Sequence, residues 1–140
     1  MHCTHLLLPY LLAAQAQKHV TVNEALMRLD GLVNNAGVNV FREPLEASDE
    51  DWRRCLAVDL EGAWLCARAV LPGMKARDRG AVVTVASAAG LVGVARQTDY
   101  AATKHAAVGF AESLAAELRK DGSRVTSLAV CPFYIDTGMF

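Results

Sequence analysis

Three side chains in the second half of the chain have the types and spacing needed to move a proton to or from an alcohol or carbonyl group. They are Ser87, Tyr100 thirteen residues later, and Lys104 one helical turn after the tyrosine. A tyrosine and a lysine four residues apart on a helix share a face, and an ammonium beside a phenol lowers the pKa of the phenol. Such a phenol can exchange a proton near neutral pH while a serine hydroxyl holds the substrate oxygen. The alternative is a surface helix with an unrelated Tyr and Lys, because a Tyr-x-x-x-Lys pair alone is a weak signal.

The elements that must position these side chains alternate between helices and strands. Apolar spacing and boundary residues predict helices over residues 13–30, 48–74 and 98–122, and strands over residues 31–35, 80–86 and 124–130. Ser48 and Asp51 predict a capping box at the second helix, and Thr98 or Asp99 is predicted to cap the third. Strands alternating with long helices predict an α/β fold with a short parallel sheet of about three strands, flanking helices and an N-terminal helix.

Ligands of parallel sheets bind beyond the carboxyl ends of the strands. That rule brings residues 34–37, Ser87, the first turn of the Tyr100 helix and residues 132–137 to one edge of the predicted sheet. Because these segments are identified separately, their convergence supports a functional site more strongly than the Tyr-Lys pair does.

Asp59 falls on the apolar stripe of the predicted helix 48–74, where an apolar residue is expected. The stripe consists of Trp52, Cys55, Leu56, Ala63, Ala67 and Val70. A carboxylate on this face is costly unless it is hydrated or paired. Two interpretations stay open: a distortion near Gly62 turns Asp59 outward, or Asp59 lies beside a solvated functional site.

Composition narrows the class of protein. The 140 residues fit at most one domain, and the net charge of −1 without a basic stripe indicates binding to neither nucleic acid nor a membrane surface. The four cysteines are scattered and lack zinc-site spacing, which predicts reduced thiols, no metal site and a cytoplasmic location. The apolar run 6–14 lacks a preceding Lys or Arg and contains Pro9, so we expect neither a cleaved signal nor a membrane span.

The motifs together resemble those of the short-chain dehydrogenase/reductase family. The matching features are Asn34-Asn35-Ala36-Gly37 after a strand, the Ser87, Tyr100 and Lys104 set, and Pro132 with Thr137. The resemblance runs from about residue 29 to residue 140. It implies a partial Rossmann-like three-layer fold and reversible hydride transfer between NAD or NADP and an alcohol or carbonyl.

The resemblance also implies a role for each matching residue. Tyr100 would be the general acid and base, Lys104 would lower the phenol pKa and hold the nicotinamide ribose, and Ser87 would bind the substrate oxygen. Asp59 stands where the family usually has an asparagine that anchors a relay water, and its charge would perturb the lysine. The implied cofactor-binding residues are Asn34, Asn35, Ala36, Gly37, Tyr100, Lys104, Pro132, Ile135 and Thr137.

Two further departures from the family pattern affect function. Residues 1–33 contain no Thr-Gly-x-x-x-Gly-x-Gly turn to seat a pyrophosphate on a helix N-terminus, so we expect a truncated or fused protein with weak cofactor binding and weak or no activity. Pro132-Phe133 replaces the usual Pro-Gly, and the segment CPFYIDTGMF looks like that of retinol- and steroid-type members, which hints at lipophilic alcohols.

The first thirty residues or so resemble the start of a domain of unknown function from phage-tail and gene-transfer-agent loci. This predicts a helical segment at residues 1–30, which is either foreign to the fold or an ordinary packing helix, followed by a dehydrogenase-like domain at residues 31–140. The alternative function is therefore a non-enzymatic interaction or structural protein. The helices after Ser48 and around Tyr100 are rich in small residues and, by resemblance, would join copies into a homo-oligomer.

Overall fold

The computed structural model describes residues 26–133, and these form an α/β unit around one parallel sheet. The elements are β1 (Gly31–Asn34), α1 (Asp49–Leu56), a π-helical turn (Ala57–Glu61), α2 (Gly62–Arg77), β2 (Ala81–Val85), a 3-10 turn (Ala88–Gly90), α3 (Thr98–Lys120) and β3 (Thr126–Val130). The strand order is β1-β2-β3, with both pairs parallel. The predicted partial Rossmann-like fold with a short parallel sheet and flanking helices is confirmed.

The sheet buries one face against α2 and α3. Leu32 lies beside Val82 in the sheet register, and both belong to a core with Val70, Met74 and Leu118 from the two helices. Side chains on the other face, such as Val33 and Leu128, are exposed among the described residues. The covered face therefore fixes how the helices lie relative to the strand ends.

Helix α1 begins with the predicted capping box. The Ser48 hydroxyl accepts a hydrogen bond from the Asp51 N–H at 3.1 Å, and the Asp51 carboxylate accepts one from the Ser48 N–H at 3.1 Å. This reciprocal pair satisfies two backbone donors that the first turn of a helix leaves free.

The predicted C-terminal end of the middle helix is wrong. Helix α2 continues through Pro72 to Arg77 rather than ending near Met74, and Asp78 in the left-handed conformation (φ 47°) ends it. The predicted stripe also fails at Trp52, which is 43% exposed. A constant helical period cannot hold across the π-helical turn at residues 57–61, because that turn rotates α1 relative to α2.

The predicted cap of α3 is also wrong. The N-cap residue is Gln97, and its side chain makes no capping hydrogen bond. The Asp99 carboxylate instead accepts a hydrogen bond from the neighbouring Tyr100 N–H at 2.8 Å.

Most of the predicted helix 13–30 lies outside the described residues. Its end departs from the prediction, since residues 27–28 form a turn, held by hydrogen bonds from Arg77 to the carbonyl oxygens of Met27 and Leu29.

No helix among residues 26–133 is long and apolar enough to cross a membrane.

Candidate active site

Ser87 is placed by the end of the central strand and by a tight turn. It follows β2 by two residues and begins the 3-10 turn Ala88–Gly90, where its hydroxyl accepts a hydrogen bond from the Ala89 N–H at 3.1 Å. The turn packs directly on α3, because a Cβ at Gly90 would lie 2.7 Å from the Lys104 carbonyl oxygen. The serine and the helix of Tyr100 are thus fixed against each other by backbone contact.

Tyr100 and Lys104 lie together in the first two turns of α3. They are 6% and 4% exposed, and the Lys104 Nζ lies 5.3 Å from the centroid of the Tyr100 ring. That Nζ also donates to the Val85 carbonyl oxygen at 3.2 Å, so the end of β2 holds the ammonium. The Ser87 hydroxyl is near enough to the phenol to lower its pKa, and both side chains line one pocket. The structure therefore brings together the three side chains that the sequence singles out.

The expected lowering of the phenol pKa is wrong for this environment. Burial raises the pKa of Tyr100, the Ser87 hydroxyl opposes the rise, and the negative charge of Asp59 adds to it. Burial also lowers the pKa of the Lys104 ammonium, while Asp59 acts in the opposite direction. Desolvation is the largest cause of both shifts because both groups lie under the surface.

Asp59 points inward, on the π-helical turn, and is 3% exposed. Its Oδ1 accepts a hydrogen bond from the Val38 N–H at 2.7 Å, and its Oδ2 lies 3.9 Å from the Lys104 Nζ. The Thr103 hydroxyl lies 3.3 Å from the same Oδ2. Burial raises the pKa of Asp59, while the Val38 N–H and the Lys104 ammonium lower it. The interpretation in which Asp59 turns outward is excluded, and the carboxylate is paired.

The segment after β1 passes over this pair. Gly37 is close enough that a Cβ would lie 3.3 Å from the Lys104 Nζ and 3.8 Å from the Asp59 Oδ1. Asn35 and Ala36 are exposed. Asn34 is buried, and its amide donates to the Ala63 carbonyl oxygen of α2 at 3.4 Å, so its side chain is used within the fold.

A small pocket opens beside Ser87 and Tyr100. Its volume is about 60 Å³, and its other lining residues are mainly apolar: Ala88, Ala89, Val92, Val94, Gln97, Pro132 and Phe133. Pro132 is tied to the site because its carbonyl oxygen accepts from the Ala88 N–H at 2.9 Å. The predicted residues Ile135 and Thr137 lie outside the described residues.

The sequence does not identify three groups at the site as functional candidates: Thr103, the Val85 carbonyl and Cys55. The Cys55 thiol is fully buried, lies 3.9 Å from the Asp59 Oδ2 and donates to the Val38 carbonyl oxygen at 3.6 Å. Burial raises the pKa of this thiol to about 11. A spacing of four residues between Cys55 and Asp59 is the one signal in the sequence that places them on a common helical face.

A hydroxyl, a phenol and an ammonium at the carboxyl edge of a parallel sheet define a class of α/β proteins equipped to exchange a proton with a bound small molecule. The family model described as short chain dehydrogenase matches residues 3–140. The chain therefore belongs to the short-chain dehydrogenase/reductase family.

The chain is similar to several dehydrogenases that are named for different substrates. The chain is 44% identical over 115 residues to retinol dehydrogenase 10-B of Danio rerio, covering 80% of this chain and 34% of that protein. It is 40% identical to meso-2,3-butanediol dehydrogenase of Serratia marcescens, covering 84% of this chain and 46% of the relative. It is also 42% identical to the inactive 2-(S)-hydroxypropyl-CoM dehydrogenase 2 of Xanthobacter autotrophicus, covering 86% and 51%.

Solved structures agree with this family. A protein from Beutenbergia cavernae, assigned as an NAD(P)-dependent gluconate 5-dehydrogenase and solved with NADP, is 38% identical with a TM-score of 0.78, and the match covers 84% of this chain and 48% of that one. A family oxidoreductase from Burkholderia thailandensis has a TM-score of 0.76 at 33% identity, covering 86% and 47%. The chain thus spans between about a third and a half of the length of these relatives.

Proposed function

We propose that this chain carries the proton-transfer side of an NAD(P)-dependent oxidoreductase that interconverts alcohols and carbonyl compounds. The observation that carries the proposal is the placement of Tyr100, Lys104 and the Ser87 hydroxyl at one edge of the sheet. Family membership supports the reaction class.

Each side chain has a distinct task in this proposal. The Ser87 hydroxyl donates to the substrate oxygen and orients it toward Tyr100. In the reducing direction the phenol gives its proton to that oxygen, and in the oxidising direction the phenolate takes the proton back. The Lys104 ammonium stabilises the phenolate that forms, because the two groups share a desolvated environment where charges interact strongly. When bound, NAD(P) supplies or accepts the hydride at the substrate carbon.

We infer that residues at this edge of the sheet would hold the nicotinamide end of such a cofactor. The bare backbone at Gly37 approaches the Lys104 ammonium so closely that a Cβ would lie 3.3 Å from it, so the glycine keeps a side chain off the lysine that, by resemblance, would hold a ribose hydroxyl. With Asn35, Ala36 and Pro132, and with Ile135 and Thr137 by resemblance, these residues would hold NAD or NADP. Because no Thr-Gly-x-x-x-Gly-x-Gly motif occurs in the 140 residues, we expect this chain alone to bind the cofactor weakly, with slow or no turnover.

The substrate class follows from the pocket wall. Val92, Val94 and Phe133 line it beside the two hydroxyl groups, so the polar groups meet the substrate oxygen while the apolar wall favours a hydrocarbon substituent. We therefore propose a lipophilic alcohol or ketone as substrate. Retinol dehydrogenase 10-B among the relatives supports this choice.

The experiment combines cofactor binding with turnover. NADH and NADPH are titrated against the purified chain by fluorescence, and oxidation of a panel of apolar alcohols is followed by cofactor absorbance. Binding is the first measurement, because turnover is expected to be slow: Lys104→Gln should weaken it and Tyr100→Phe should keep it. Each substitution should also remove the slow turnover that the wild-type chain shows. Lys120→Gln is the matched control, since Lys120 is exposed at the far end of the same helix. Turnover that survives Tyr100→Phe would refute the proposed role of the phenol.

A second proposal concerns self-association. Leu56, Leu60, Trp64 and Phe110 form an apolar groove between the π-helical turn, α2 and α3, with Glu61 at its side. Trp64 is 45% exposed, which supports a homo-oligomer through the two helices and keeps open the alternative of a non-enzymatic, self-associating protein. Trp64→Glu should shift sedimentation toward the monomer, whereas Trp52→Glu, on an exposed tryptophan that does not line the groove, should not. A monomeric wild-type chain at high concentration would contradict this.

The cytoplasmic location stays a prediction.

A further inference from the structure

Asp59 is a buried charge that the proposed proton transfer does not itself require. Its side chain has no exposed surface, and the Lys104 side chain is 5% exposed. Four donor groups lie around the carboxylate: the Val38 N–H at 2.7 Å, the Thr103 hydroxyl at 3.3 Å, the Lys104 ammonium at 3.9 Å and the Cys55 thiol at 3.9 Å. Burial raises the pKa of this carboxyl, and the Val38 N–H, the Lys104 ammonium and the Thr103 hydroxyl each oppose that rise.

The electrostatic surroundings of Asp59 come from three directions. From α3, Lys104 contributes the positive charge, while Asp99 and the phenol of Tyr100 add groups that are negative when ionised. From α1, Cys55 contributes a thiol whose pKa of about 11 keeps it neutral at physiological pH. From the segment after β1, Val38 contributes a backbone dipole. The Lys104 ammonium lies 3.9 Å from the Asp59 Oδ2 and 5.3 Å from the centroid of the Tyr100 ring, so its charge acts on both groups.

We propose that Asp59 is a positioning residue that decides where the proton of the Tyr100–Lys104 pair rests: it keeps the ammonium charged and in place while making the phenolate less favourable. At neutral pH the pair then rests with its proton on the phenol, ready to donate. This favours reduction of a carbonyl over oxidation of an alcohol, and only that last consequence rests on the proposed function.

The direction of each effect supports this assignment. The Asp59 charge raises the pKa of Tyr100, in addition to burial, and it also raises the pKa of Lys104 against the effect of burial. An uncharged side chain of the same shape would remove both influences. The phenol would then lose its proton at lower pH, because the negative charge that opposes its ionisation would be absent.

The test is a direct titration of Tyr100 without cofactor or substrate. Tyrosinate absorbance near the ultraviolet edge is recorded against pH for the wild type and for Asp59→Asn, each after subtraction of the same protein carrying Tyr100→Phe. Asp59→Asn keeps the shape and an oxygen that can accept from the Val38 N–H. The Tyr100 midpoint should move to lower pH. Asp59→Glu, which keeps the charge, should stay near the wild-type midpoint, and so should Glu50→Gln, which removes an exposed carboxylate of α1.

The outcomes separate this inference from the proposed function. A Tyr100 midpoint in Asp59→Asn that is unchanged, or displaced to higher pH, would overturn the inference whether or not the chain turns over substrate. Circular dichroism checks that the Asp59→Asn variant folds. If it does not fold, Asp59→Ala provides the same comparison. If the chain is active, the pH profile of carbonyl reduction should move in the same direction as the titration.

Discussion

Gly90 is the contact through which the turn carrying Ser87 touches the helix carrying Tyr100 and Lys104. A Cβ built on Gly90 would lie 2.7 Å from the carbonyl oxygen of Lys104, 2.9 Å from the carbonyl carbon of Lys104 and 3.3 Å from the Cβ of Lys104. The nearest of these is about 0.8 Å short of an ordinary contact of roughly 3.5 Å between carbon-sized atoms. Two of the three are backbone atoms in the second turn of α3, so they cannot move aside without moving the helix.

Gly90→Ala should therefore separate the 3-10 turn from α3 by most of that shortfall. Overpacking a close backbone contact costs about 1–3 kcal/mol of unfolding free energy, which corresponds to a fall in Tm of roughly 4–12 °C for a chain of this size. Because Ser87 is part of the displaced turn, a misplacement approaching 1 Å should also reduce any Tyr100-dependent turnover by about tenfold or more.

The assay is urea unfolding followed by circular dichroism, with thermal unfolding as a second measure. Gly93→Ala is the matched control, because a Cβ there meets nothing within 4 Å and Gly93 lies in the loop just after the turn. It should change the unfolding free energy by less than about 0.5 kcal/mol. If Gly90→Ala proves as stable as Gly93→Ala, the turn does not rest on α3 and the placement of Ser87 beside Tyr100 is refuted.

Three further predictions address the core, the long helix and the buried thiol. Met74→Ala, at a fully buried side chain, should cost about 2–5 kcal/mol in urea unfolding; a loss below 1 kcal/mol would contradict the packing of α2 on the sheet. Gly109→Ala, on α3 where a Cβ meets no neighbour, should raise the unfolding free energy by about 0.5–1 kcal/mol, and a destabilised monomer would contradict this. Cys55 should resist alkylation at pH 8 while Cys131 reacts, as located by mass spectrometry. Burial raises the Cys55 pKa from 9.0 to about 11, so the folded state favours the protonated thiol. The contribution of this thiol to the free energy of unfolding is fully present below pH 9, and about 2–3 kcal/mol of it is lost between pH 9 and 11. The loss is measured as the difference from Cys55→Ala.

Local signals explain which parts of the fold were predictable. The Ser48 capping box, the central strand and the long helix around Tyr100 are encoded by residues within one or two turns of each other, and each was found within a few residues of its predicted place. The meeting of Ser87 with Tyr100 followed from a topological rule about strand ends, which needs only the order of the elements.

Features that depend on packing between distant segments were not predictable in the same way. Apolar spacing assumes one continuous helical period, so it could not locate the π-helical turn that buries Asp59 and exposes Trp52. Nor could it show that Thr103 would reach Asp59, since 44 residues separate them in the chain. The phenol pKa went in the unexpected direction for the same reason, because desolvation depends on what covers Tyr100 and not on its neighbour at i+4.

The hydrogen bond from Lys104 to the Val85 carbonyl has a consequence for motion. Val85 ends the strand that lies between the two others, and the middle of a sheet is the part of a domain that opens least often. The ammonium is thus held by the strand that is hydrogen-bonded to a neighbour on both sides. We therefore expect the ammonium to keep its position during local openings at the edges of the sheet.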